Sequence, residues 1–245
     1  MEFGVGWPDG RETGTRRRVH ARARPRAELQ REHVLQPVGG EPDAARETPG
    51  EEFAKGHYEQ LHEVVGTIRV GDDTWTVQGF GLRDHSWGPR YWQAPWYYRW
   101  LTGNAGPNFG FMGSFIAKKP GSTSKGSRGG FVWEDGTLHL VDEVDISTSW
   151  TGDATYHHHV DLTLTSSRSS RQWRIAGDVM NLIPLRNRRT TPDGEELLTR
   201  ISEGMTRWSI SSDGGTAATS ETRIGYGLSE YLDQIIDSMP VGIDH

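Results

Sequence analysis

The chain is predicted to adopt an all-β, antiparallel fold, a barrel or sandwich with a short C-terminal helix, on three observations. Stretches of alternating apolar and polar residues recur along it, Gly, Asp, Ser and Pro turns separate them, and no strand–helix–strand alternation interrupts them. The 245 residues are enough for one large β domain, and with only 33% hydrophobic residues, 31 Gly and ten Trp, the core has to lean on indole rings in short strands. The first hairpin is read from Glu63–Val70 and Thr74–Phe80, two alternating runs around a Gly71-Asp72-Asp73 turn. Further strands are expected at Phe109–Ala117, Gly130–Trp133, Thr137–Trp150, Thr155–Leu164, Gln172–Leu182 and Glu203–Ile210. The polar, basic stretch between Phe115 and Phe131 reads as a solvent-facing hairpin tip. Near the end, Leu228, Tyr231, Leu232, Ile235 and Ile236 fall at helical spacings before Met239-Pro240, which predicts the helix.

Composition excludes several classes. The chain has no cysteine, so disulfides, thiolate catalysis and cysteine-held metals are ruled out. A net charge of −6 argues against a nucleic-acid partner. No run reaches the length of a membrane-spanning helix and no apolar leader opens the chain, so a cytoplasmic protein with no membrane span is expected. Residues 1–50 are rich in Arg, lack Lys and Tyr, and read as a disordered or remnant segment, with the β domain over residues 51–245.

Residues 83–100 concentrate seven aromatic rings beside an Asp-His pair. Trp and Tyr offer flat apolar faces with a polar handle, a composition suited to lining a pocket for a hydrophobic small molecule. Asp84 and His85 are adjacent, so an extended backbone directs them to opposite faces. Arg83 and Arg90 are placed to hold carboxylates, and Trp87, Tyr91 and Trp92 to wall a cavity.

The run Asp84-His85-Ser86-Trp87-Gly88 resembles the Asp-His-Asn/Ser-Trp-Gly motif of the carotenoid 1,2-hydratase and AttH-like family. The surrounding Gly-Phe-Gly-Leu-Arg-Asp-His-Ser-Trp-Gly-Pro-Arg-Tyr-Trp is similar to a bacterial branch related to it, from about Phe53 to Ile243. The resemblance implies a lipocalin-like β architecture, in a wider family that carries two such domains with the motif in the later part. Here only about 80 residues precede it, which implies a first domain truncated or replaced by the Arg-rich segment. It further implies acid-initiated hydration, cyclisation or isomerisation of an unsaturated, terpenoid-like substrate without a cofactor. Asp84 would be the proton donor, kept protonated by an apolar pocket. His85 would orient it or relay a proton, and Tyr91, Trp87 and Trp92 would face a developing cation. Tyr97 or Tyr98 would hold the capturing water, with Trp96, Arg90 and Tyr226 completing the substrate-binding set.

Two other functional classes share these residues. One is a noncatalytic carrier that holds an apolar ligand on Trp87, Tyr91, Trp92 and Trp96. The other is a structural fragment that completes its sheet with a second copy as a homo-oligomer. Tyr156-His157-His158-His159 puts His157 and His159 on one strand face, without a declared third ligand, so a solvated face is expected and no metal. Glu203 with Arg207, and Tyr226, Glu230 and Tyr231, are second-tier candidates that a later strand could bring to the Asp-His segment. No phosphate loop, nucleophile elbow or dinucleotide fingerprint is present.

Overall fold

The computed structural model describes residues 26–33, 38–40, 54–88, 91–121, 126–153, 155–213 and 222–243, the first two segments and residues 212–213 by backbone alone. The described residues are strands and turns with no helix, in two antiparallel sheets. In the first sheet, β3 (Gly56–Val70) pairs along one edge with β1 (Arg26–His33) and β2 (Val38–Gly40), and along the other with β4 (Asp73–Trp87). Backbone strands thus occur at 26–33 and 38–40 within the segment expected to be disordered, and the rest of residues 1–50 lies outside the described residues. The β3–β4 turn is tighter than the three residues expected. Val70 faces Asp73, and Gly71 takes a φ of 63°, a conformation that glycine adopts without a Cβ penalty.

The second sheet begins with a meander of β5 (Tyr97–Asn104), β6 (Phe109–Ala117), β7 (Ser127–Glu134) and β8 (Thr137–Val141). A second meander follows, of β9 (Glu143–Trp150), β10 (His157–Ser166), β11 (Arg171–Thr190), β12 (Glu196–Asp213) and β13 (Arg223–Ile236), with β14 (Met239–Pro240) folding back on β13. Hydrogen bonds between β5 and β13 join the meanders, while β8 and β9, at the two ends of the strand order, are separated in sequence by Asp142 alone. A one-residue link cannot span a flat sheet of this width, so the sheet curls into a lipocalin-like half-barrel. Val132 and Val141 from one end share a core with Val144, Val160, Leu162 and Leu164 from the other. Trp208, wholly buried, donates its indole N–H to the Thr102 carbonyl at 2.9 Å, and a Cβ on Gly177 would collide with its ring.

The expected C-terminal helix is a strand. β13 lies between β5 and β12, and both its faces are covered over residues 231–234, where Tyr231, Leu232, Asp233 and Gln234 are all buried. A strand buried on both faces loses the simple alternation by which strands are recognised, and its apolar positions imitate a helical period. The four-His run also departs from expectation. A register shift between His157 and His159 sends His157 into the core, stacked on Tyr231 with ring centroids 3.9 Å apart, while His159 meets Asp178 at 2.7 Å on the other side. Burial pushes the His157 imidazole down to about 3, so it is neutral beside the Ser229 hydroxyl 2.9 Å away.

One end of the core is charged. Arg99 on β5 and Asp233 on β13 form a paired contact at 3.1 and 3.2 Å, both nearly sealed from solvent. Arg99 also donates to the Gly242 carbonyl at 2.6 Å and lies 4.2 Å from the Tyr231 ring centre. Removing one member of such a pair leaves an uncompensated buried charge. Asp233→Ala is therefore expected to lower the unfolding free energy by about 3–5 kcal/mol in urea titration, far more than an exposed carboxylate such as Asp145.

Candidate functional site

The β3–β4 hairpin lies against the face of the second sheet opposite its barrel core. His57, Glu59 and Leu61 of β3 share one face with Ser86, Asp84 and Leu82 of β4, because each is directly paired. Leu61 and Leu82 pack with Met112, Phe131, Trp100 and Trp133, and this contact draws Glu59, two residues along, into the same seam. Its carboxyl is wholly buried. The Trp100 indole donates to Oε1 at 2.9 Å, His57 Nε2 lies 3.0 Å from the same atom, and Oε2 has no hydrogen-bond partner. Burial pushes Glu59 up to about 7; the Asp84 charge adds to the rise, and the His57 and Trp100 contacts oppose it. Asp84, directly across from Glu59, is 53% exposed and lies 3.6 Å from His57 Nδ1.

The second sheet answers with carboxyls of its own. Trp100 on β5 sits opposite Glu230 on β13, which sits opposite Glu203 on β12. The Tyr98 phenol donates to Glu230. Glu203 is half-buried and pushed up to about 7, first by desolvation and then by the charges of Glu230 and Asp84. Its other neighbours on this face are apolar. Ile183 is paired with it across β11–β12, Ile201 and Met205 flank it on its own strand, and Leu185 faces Ile201. Ile183, Leu185 and Met205 are exposed. The arrangement is a set of carboxyls at the edge of an apolar platform, two of which, Glu59 and Glu203, are pushed up to about 7. A donor atom from each of His57, Glu59 and Asp84 lies within 4.8 Å of the other two, a grouping able to hold a metal ion.

The residues singled out in sequence divide between faces. Asp84 faces the seam, whereas His85 and Trp87 point to the opposite face of the hairpin, where the His85 ring lies 5.2 Å from Tyr58 and 5.7 Å from Trp87. Tyr98 and Trp92 pack with Ile201 and Leu232 on the seam side. Tyr97 turns inward beside Arg99, 4.9 Å from its ring centre. Tyr91 and Trp96 are half-buried, with Arg189 and Lys119 each 5.9 Å from their ring centres. Tyr226 is 51% exposed on the seam face of β13, two strand repeats from Glu230. Arg90 lies outside the described residues. Asp84 does not sit in an apolar enclosure, and the most sheltered carboxyl of the seam is Glu59. Sequence reasoning passed over His57 and Glu59, because β3 was started seven residues late, and gave Trp100, one of the seven rings of the aromatic segment, no role of its own. The signal available was the turn itself, since counting outward from Val70 opposite Asp73 sets Glu59 opposite Asp84.

Fold and site together define a lipocalin-like, two-sheet β protein with a carboxyl cluster at the seam between its sheets. The chain belongs to the family described as a domain of unknown function, DUF7064, whose model matches residues 9–235. No curated protein matches it. Among solved structures it is similar to CghA, with a TM-score of 0.58 at 16% identity over 91% of this chain and 64% of that one. It is likewise similar to CghA with Sch210972, with a TM-score of 0.57 at 16% identity over 85% of this chain and 61% of that one. The chain thus spans less than two thirds of the length of these neighbours, and the likeness is one of fold. Among the described residues no helix is long and apolar enough to cross a membrane.

The raised Glu203 carboxyl makes stability depend on pH. The folded carboxyl keeps its proton up to about pH 7 while the unfolded one loses it near 4.5, so the folded state binds more protons in between and stability falls as pH rises through that window. Glu203→Gln is expected to raise the unfolding free energy by at most about 3 kcal/mol at about pH 8 and to change it little at about pH 4. Urea titrations of chelator-treated protein at both pH values check this.

Proposed function

We propose that this chain binds an unsaturated hydrophobic small molecule on the β11–β13 face beside the β3–β4 hairpin and catalyses its acid-initiated hydration, cyclisation or isomerisation. Glu203 is the proton donor. The observation that carries this reading is a half-buried carboxyl held protonated near neutral pH by desolvation and by Glu230, on a face lined by Ile183, Ile201 and Met205. Burial separates the roles of paired carboxyls, as a general acid requires. Glu203 transfers its proton to one alkene carbon, and the adjacent carbon becomes cationic. The cation is stabilised by the Glu230 charge and by the faces of Trp100 and Trp92. Loss of a proton from a neighbouring carbon back to Glu203 completes isomerisation. Attack of a second double bond of the substrate on the cation, forming the ring C–C bond, followed by such a proton loss completes cyclisation. Addition of water followed by loss of an oxonium proton to Glu203 completes hydration.

The reading keeps the substrate class implied by the Asp-His-Ser-Trp-Gly resemblance and moves the donor from Asp84 to Glu203. CghA with Sch210972 supports a small-molecule role for the architecture. The exposed apolar side chains equally suit a carrier, and one experiment separates the two. Acyclic polyenes such as farnesol are screened by tryptophan quenching and by chromatography of products. Glu203→Gln is expected to leave quenching in place and to slow conversion by about 100-fold or more. Equal conversion by the variant removes Glu203 from the chemistry, and quenching without conversion by the parent protein leaves the carrier.

A further inference from the structure

We propose that His57, Glu59 and Asp84 bind one divalent transition-metal ion, Zn²⁺ or Mn²⁺, at the seam between the β3–β4 hairpin and the second sheet. Register supplies the first reason. Glu59 and Asp84 are directly opposed across β3–β4, and like charges so placed repel unless something positive lies between them. The second reason is the Glu59 carboxyl, wholly buried with Oε2 lacking any donor, a cost that a bound cation removes. Third, among the described residues no Lys or Arg forms an ion pair with Glu59, Asp84 or Glu203.

The geometry is close to that of a ligand set. The three donors lie within 4.8 Å of one another, whereas ligands about one such ion are roughly 3–4 Å apart, a contraction that rotation of the half-exposed Asp84 side chain can provide. At 3.6 Å its contact with His57 Nδ1 is too long to be a hydrogen bond that would resist this. The Trp100 indole already fixes Glu59 from behind, as second ligand shells do in metal sites. One imidazole and two carboxylates neutralise a dication and favour Zn²⁺ or Mn²⁺ over the all-oxygen preference of Mg²⁺ and Ca²⁺. Three protein ligands leave positions for water on the Asp84 side, where the seam opens to solvent.

The test uses the full chain after chelator treatment, titrated with Zn²⁺ by calorimetry and with Co²⁺ by visible absorption. The expected result is one ion per chain, a melting temperature raised by Zn²⁺, and affinity weakened at least tenfold in Asp84→Asn, whose exposure makes it safe for folding, and in Glu59→Gln. His159→Ala, which removes the separate His159–Asp178 cluster, is expected to leave binding unchanged. No binding, or binding that survives Asp84→Asn and is lost in His159→Ala, overturns the proposal. The readout is the ion itself, so it stands or falls independently of conversion by Glu203.

Discussion

The hydrogen bond from the Trp100 indole to the Glu59 carboxyl joins the two sheets at a place where a carboxyl has been taken wholly out of water. A donor meets only one of its two carboxyl oxygens there, and the other has no hydrogen-bond partner. Leu61 and Leu82, packed on Met112 and Phe131, supply the apolar contact that holds the hairpin in position. Everything charged in the seam is arranged around that fixed point. His57 reaches Glu59 with one ring nitrogen and approaches Asp84 with the other, and Glu230 and Glu203 follow from Trp100 strand by strand.

The second sheet can support such a site because its other face is already complete. Trp173, Trp208, Phe111 and Tyr231 fill the half-barrel, and the Arg99–Asp233 pair closes one end of it. β5 and β13 are therefore held from the core side and present a rigid face to the hairpin. Residues on alternate positions of the same strand serve different purposes, with Tyr231 in the core and Glu230 in the seam. Sites on such strands keep their geometry better than sites on loops.

The adjacent motif residues illustrate how far a linear pattern reaches. Asp84 and His85 diverge as an extended backbone requires, so the hairpin offers only Asp84 to the seam and turns His85 toward Tyr58. Glu203 was visible as a charged residue in an alternating strand and Glu230 as one in an aromatic-glycine stretch running into the expected helix, but their apposition depends on the β12–β13 register, which no local pattern states. Glu59 was hidden because it precedes Glu63, where the alternation that announced the strand began. Tyr98 and Trp92 reached the seam as members of the aromatic segment, while Tyr97, one residue along, turned into the barrel.

Alternation, turn residues and the absence of helix-forming blocks determined the all-β class, most strand positions and the hairpin at Gly71-Asp72, because these follow from interactions between neighbours in the chain. Tertiary structure alone decided that Leu228–Ile236 is a strand, since burial on both faces erased its period of two. It alone decided that His157 leaves its face at a register shift. It also brought His57, Glu59 and Asp84 beside Trp100, Glu203 and Glu230, because the packing of Leu61 and Leu82 on Met112 and Phe131 and the pairing of β5 with β13 join segments that lie far apart in the chain.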